Sequence, residues 1–182
     1  RTNAEVIAQT LDLLADGHRP HIVGGTAELI RLLNAVSGLK AGVPSDVPEF
    51  FGFAHWQEVV EFAHTPEGER LSAFVKLVAA HGEQRLIAAL ERTAATEAEA
   101  GAVVSTAHKA KGREWDTVRL ADDFAWPEHD AEGRLTTDPA EVRLVYVALT
   151  RARLAVEPPR AWRETLGLAP ASRPRPTPAK AP

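Results

Sequence analysis

Five side chains able to carry charge or exchange a proton fall within seven positions: His108, Lys109, Lys111, Arg113 and Glu114, in the stretch STAHKAKGREWDTV at residues 105–118. Apolar residues lie on both sides of it. A Lys- and Gly-rich turn between two strands lets backbone N–H groups and ammonium groups converge on an anion. Lys111 beside Gly112 would set charge next to bare backbone. A solvated surface connection has the same composition, so these residue types alone leave both readings open.

A second constellation is RLVYVALTRAR, residues 143–153. On a helix, Leu144, Val147, Ala148 and Arg151 fall on one stripe, and Arg143, Tyr146 and Thr150 on the next. An arginine at the rim of an apolar helix suits bidentate binding of phosphate. It also suits the negative end of the helix itself, which is the alternative reading. A third, LADDFAWPEHD at 120–130, ends an apolar run in Asp122-Asp123, like a metal-binding strand end. Such a carboxylate needs a Walker A loop beside it, and no Gly-Lys dipeptide occurs in the chain. Capping or hydrogen bonding is therefore the expected use of this pair, and no independent NTPase is expected. Trp115 either anchors the Lys/Gly loop or offers a face to a base. Seven histidines form no HxxxH or HExxH pair and there is no cysteine, so no metal centre is expected.

The elements that must position these groups are readable. Thr2 and Glu5 have capping-box spacing ahead of a helical stripe of Val6, Ile7, Leu11 and Leu14 that closes at Gly17. PHIVGG, residues 20–25, reads as a strand ending in a glycine turn, and Thr26 opens a second helix. Helix, strand, helix is the grammar of an α/β layer. Residues 39–53 read as a loop, followed by three helical patterns in HWQEVVEFAHT, GERLSAFVKLVAAHG and EQRLIAALERTAATEAEA, with Trp56 and Phe62 as core. Strands are expected at GAVVSTAH and DTVRLADDF. Pro139 marks a helix start, although the Val-rich run after it could pass for a strand. LAVEP reads as a last strand, and the Pro-rich end has no capacity to bury a core.

The chain has 182 residues, 45% hydrophobic and 25% charged, enough for one sizeable core. Its net charge of −4 is unevenly spread. Residues 1–100 hold 8 Lys and Arg against 14 Asp and Glu, and residues 101–182 hold 13 against 11. No apolar run approaches the roughly 18 residues of a membrane span, and no signal peptide is evident. A soluble, cytoplasmic protein is the expectation, nucleoid-associated if bacterial. The start at Arg1 without methionine suggests a piece of a longer chain.

TAHKAKGREWDTV followed by RLVYVALTRAR resembles motifs V and VI of superfamily 1 DNA helicases of the UvrD/Rep type. RTNAEVIAQTLDLLADGHRPHIVGG is similar to the segment that opens the second half of those enzymes. Only about 75 residues separate the Gly-Gly strand from motif V, which, with STAHKAKG and DDF, looks more like the F-box DNA helicase branch than the larger bacterial repair helicases.

The resemblance implies an α/β fold: a RecA-like parallel sheet flanked by helices, with a small all-helical insertion and a disordered Pro-rich C-terminal tail. Residues 1–38 and 101–157 would form the second motor domain (2A), 39–100 a loop and reduced 2B-like insertion, and 158–182 the tail. It further implies that Glu114 holds the ATP ribose, that the backbone at Gly112 approaches the γ-phosphate, and that Arg151 is the arginine finger. Thr106 and His108 would face single-stranded DNA. ATP would come with Mg2+ whose ligands lie in a missing N-terminal motor half, the partner in the same chain.

Arg113 stands where that family usually has an apolar residue, Trp115 replaces a common Phe, and Val142 sits where a second arginine is frequent. The expected function is therefore the C-terminal half of an ATP-dependent helicase or translocase moving 3′ to 5′, inactive as an ATPase alone. The alternative is a free-standing, non-catalytic helicase-like domain that binds DNA or a protein.

Overall fold

A computed structural model of the chain describes residues 1–124, 128, 130–134, 136–165 and 167–168. It divides into two compact units, Arg1–Ala110 and Lys111–Pro182. Both mix helix and parallel strand, and no described helix is long and apolar enough to cross a membrane.

Unit 1 begins with α1 (Asn3–Ala15), where the Thr2 hydroxyl accepts from the Glu5 N–H at 3.2 Å, the expected cap. Strand β1 (Pro20–Ile22) and α2 (Ala27–Lys40) follow, then α3 (Trp56–Phe62), α4 (Glu69–His81), α5 (Glu83–Leu90) and β2 (Ala102–Val104). β1 and β2 pair in parallel, Pro20 against Ala102 and Ile22 against Val104, and the Val23 N–H extends the ladder to the Val104 carbonyl at 3.0 Å. Parallel neighbours need a long crossover, and here it carries α2 to α5.

Those helices do not stand apart from the first two elements. Ile7 of α1, Leu33 and Val36 of α2, Val59 of α3, Val78 of α4 and Leu86 of α5 belong to one buried cluster with Ile22 and Val104. Phe50, fully buried, meets the edge of Trp56 with ring centroids 5.8 Å apart and lies 6.0 Å from Phe74. Trp56 and Phe62 pack on this core while remaining partly exposed. The Lys40 ammonium at the end of α2 pairs with Glu83 at the start of α5, and the hydrogen bond holds that carboxyl below the usual carboxylate range. Between α3 and α4, a β-carbon on Gly68 would sit 1.9 Å from the Phe62 carbonyl oxygen, so the turn requires a bare backbone.

Unit 2 is a strand, helix, strand arrangement: β3 (Trp115–Arg119), α6 (Pro139–Leu149) and β4 (Ala152–Glu157), closed by α7 (Arg160–Thr165). The ambiguous Val-rich run is helical because Asp138 caps it, accepting from the Ala140 N–H at 2.8 Å, with Pro139 in the first turn. β3 and β4 are parallel, with an irregularity between Trp115 and Thr117.

The described strands thus form two two-stranded parallel sheets, one in each unit, in place of a single continuous sheet. The ladder of unit 1 is only three residues long, and the chain after β2 turns instead of extending. The segment assigned to a tail from residue 158 opens with α7, whose Trp162 is buried, while residues 169–182 lie outside the described ones.

Candidate functional site

The boundary between the units falls within the stretch 105–118, so of the candidate residues Thr106 and His108 belong to the first unit and Gly112, Glu114 and Arg151 to the second.

In unit 1, Thr106 is buried. Its hydroxyl accepts from the Lys109 N–H at 3.3 Å and its carbonyl from the Ala110 N–H at 3.0 Å, which folds residues 106–110 into a turn. His108 is exposed on that turn. Lys109 reaches back to α2, its ammonium 2.7 Å from Glu28 Oε2. Gly24 permits this path, because a β-carbon there would come 3.3 Å from Lys109 Cδ. The hydrogen bond and the charge of Lys109 both hold the Glu28 carboxyl below the usual carboxylate range.

In unit 2, Gly112 adopts φ +81°, a conformation that L side chains rarely take, and open space surrounds the position a β-carbon would occupy. The Glu114 side chain is exposed.

Arg151 follows Thr150, the residue that closes α6, and its side chain makes three hydrogen bonds. Nε donates to the Val147 carbonyl at 2.9 Å, one terminal nitrogen to the Arg113 carbonyl at 3.1 Å, and the other to Thr150 Oγ1 at 2.9 Å. Its own carbonyl accepts from the Trp115 N–H at 2.9 Å. Glu114 is therefore bracketed by two hydrogen bonds to one arginine. The bond to Val147 is the helix-end contact anticipated as the plainer role, and the bond to Arg113 exists beside it. A guanidinium has five N–H donors, so one on each terminal nitrogen remains for an anion.

Residues 101–156 match the UvrD-like helicase C-terminal domain. The matched segment runs from just before β2 nearly to the end of β4 and contains Thr106, His108, Gly112, Glu114 and Arg151. The chain is also similar to F-box DNA helicase protein 1 of Schizosaccharomyces pombe, 29% identical over an aligned length of 175, covering 84% of this chain and 19% of the relative. It thus spans about a fifth of that curated relative. The resemblance read from the two motifs is borne out, and so is its leaning towards the F-box DNA helicase branch.

The Asp122 carboxylate accepts from the Arg160 N–H at 2.8 Å and so joins the turn after β3 to the start of α7. Among the described residues no group of three or more His, Asp and Glu side chains is placed to hold a metal ion. Arg153 pairs with Asp116 at 2.6 Å with both side chains more than half exposed, a contact of little energetic weight. Trp115 is half-buried at the head of β3. Sequence reasoning missed the Glu28 partner of Lys109, the Arg113 carbonyl and the Thr150 hydroxyl. The first lies 81 positions away, and the second is backbone that no side-chain pattern reports.

Proposed function

We propose that this chain is the C-terminal motor half of an ATP-dependent DNA helicase or translocase with a RecA-like 2A domain. In this reading, Arg151 is the arginine finger, Glu114 meets the nucleotide ribose, and the Gly112 backbone lies along the phosphates. The observation that carries it is the double hydrogen bond of Arg151 around Glu114 inside the UvrD-like segment. A cation fixed to the same loop as the ribose-binding carboxylate addresses both ends of one nucleotide. Its charge meets the negative charge that develops on the phosphoryl oxygens during transfer. The Walker loops and the Mg2+ ligands would come from an N-terminal half. His108, exposed on a turn shaped by Thr106, faces single-stranded DNA, so one loop reports nucleotide state to the DNA side.

The test is single-stranded-DNA-stimulated ATPase of the protein at its full natural length. Arg151→Ala is expected to lower turnover by about 10³-fold, the range seen for arginine fingers, with the folded state retained by circular dichroism. Unchanged turnover would remove Arg151 from the chemistry, and DNA binding without any turnover in the parent protein would favour a non-catalytic binding module.

A further inference from the structure

Thr150 enters neither the nucleotide site nor the DNA site, yet its hydroxyl is used twice. Oγ1 donates to the Val147 carbonyl at 3.0 Å and accepts from a terminal nitrogen of Arg151 at 2.9 Å. Arg151 Nε donates to that same Val147 carbonyl at 2.9 Å. The three groups close a ring of carbonyl, hydroxyl and guanidinium. A hydroxyl has one proton, and the carbonyl takes it, so its lone pairs are left facing the arginine.

We propose that Thr150 is a positioning residue for Arg151, locking the Nε edge of the guanidinium against the end of α6. The N–H left over on each terminal nitrogen is then fixed in direction before a phosphate arrives. This rests on the reading of Arg151 as the arginine that meets phosphoryl charge. The ring confines a side chain with four rotatable bonds before any ligand binds, and misplacement of a catalytic group by about 1 Å can cost roughly 100-fold in rate. Valine in place of Thr150 keeps the shape and removes both hydrogen bonds. The Val147 carbonyl stays satisfied by Arg151 Nε, so the helix end need not unravel.

The experiment measures DNA-stimulated ATPase of the full-length protein as Thr150→Val, Thr150→Ser, Arg151→Lys and the double variant Thr150→Val/Arg151→Lys. The expected result is a kcat about tenfold or more lower for Thr150→Val with KM for ATP within about twofold, and recovery in Thr150→Ser. The double variant should be no slower than Arg151→Lys alone, since a residue acting through Arg151 has nothing left to position. A normal kcat for Thr150→Val beside a collapsed one for Arg151→Lys overturns the positioning role and leaves that of Arg151 standing. So does an equal loss from Thr150→Val in both arginine and lysine backgrounds, or failure of serine to restore kcat. A normal kcat for Arg151→Lys overturns the underlying reading together with the proposal.

Discussion

Lys109, in the turn after β2, holds its ammonium 2.7 Å from the carboxylate of Glu28, 81 positions earlier at the start of α2. The pair fastens the turn bearing Thr106 and His108 to the helix behind the Gly24-Gly25 turn.

Because Glu28 titrates below its ordinary value, its contribution to stability is present above the unfolded carboxylate pKa of about 4.3 and is lost as pH falls through the lowered folded value. With side-chain exposures of 67% and 34% for Glu28 and Lys109, the pair contributes at most about 1 kcal/mol. Glu28→Gln should therefore be slightly less stable than the parent at pH 7, and the gap should close below about pH 4. Urea unfolding across that range checks it, and a gap that widened in acid would contradict the assignment.

Gly112 can be tested separately from its surroundings. Open space lies around it and only its φ of +81° opposes a side chain, so Gly112→Ala should cost about 1–2 kcal/mol of strain without a clash. If the bare backbone there lies along phosphate, the same change should raise KM for ATP in the full-length protein more than the stability loss explains. Binding of a fluorescent nucleotide would read this, and unaltered affinity would leave Gly112 a turn former only.

The sequence carried the element boundaries wherever a local rule applied: the Thr2 cap, the Pro139 start and the glycine at 82 that divides α4 from α5 all act within a few residues. It was silent where a contact spans the fold. Nothing near Lys109 announces Glu28, and nothing in LTRAR announces that Arg151 seeks a carbonyl at 113. α7 was hidden for another reason. Pro158-Pro159 reads as the start of a proline-rich end, whereas Pro159 accepts the first helical bond, from Arg163 N–H at 3.1 Å, and Trp162 is buried beyond it.

The shared core of unit 1 also makes a prediction. Leu86 in α5 is fully buried in the cluster that contains Ile7 and Leu33, so Leu86→Ala should destabilise by about 3 kcal/mol. Hydrogen exchange should then speed up in α1 and α2 as much as in α5. Faster exchange confined to residues 56–90 would show a helical block that unfolds alone.

The pairing of residues 20–22 with 102–104 has a kinetic consequence. Almost the whole length of unit 1 must be gathered before these two short strands can meet, and closing so long a loop wins only a three-residue ladder. The helices between them have local contacts and can condense early, carrying the strand ends towards one another. The helices between the two strands should thus act as the folding scaffold of the sheet, and lengthening or loosening that segment should slow the appearance of the turn at 106–110 before it alters the finished structure.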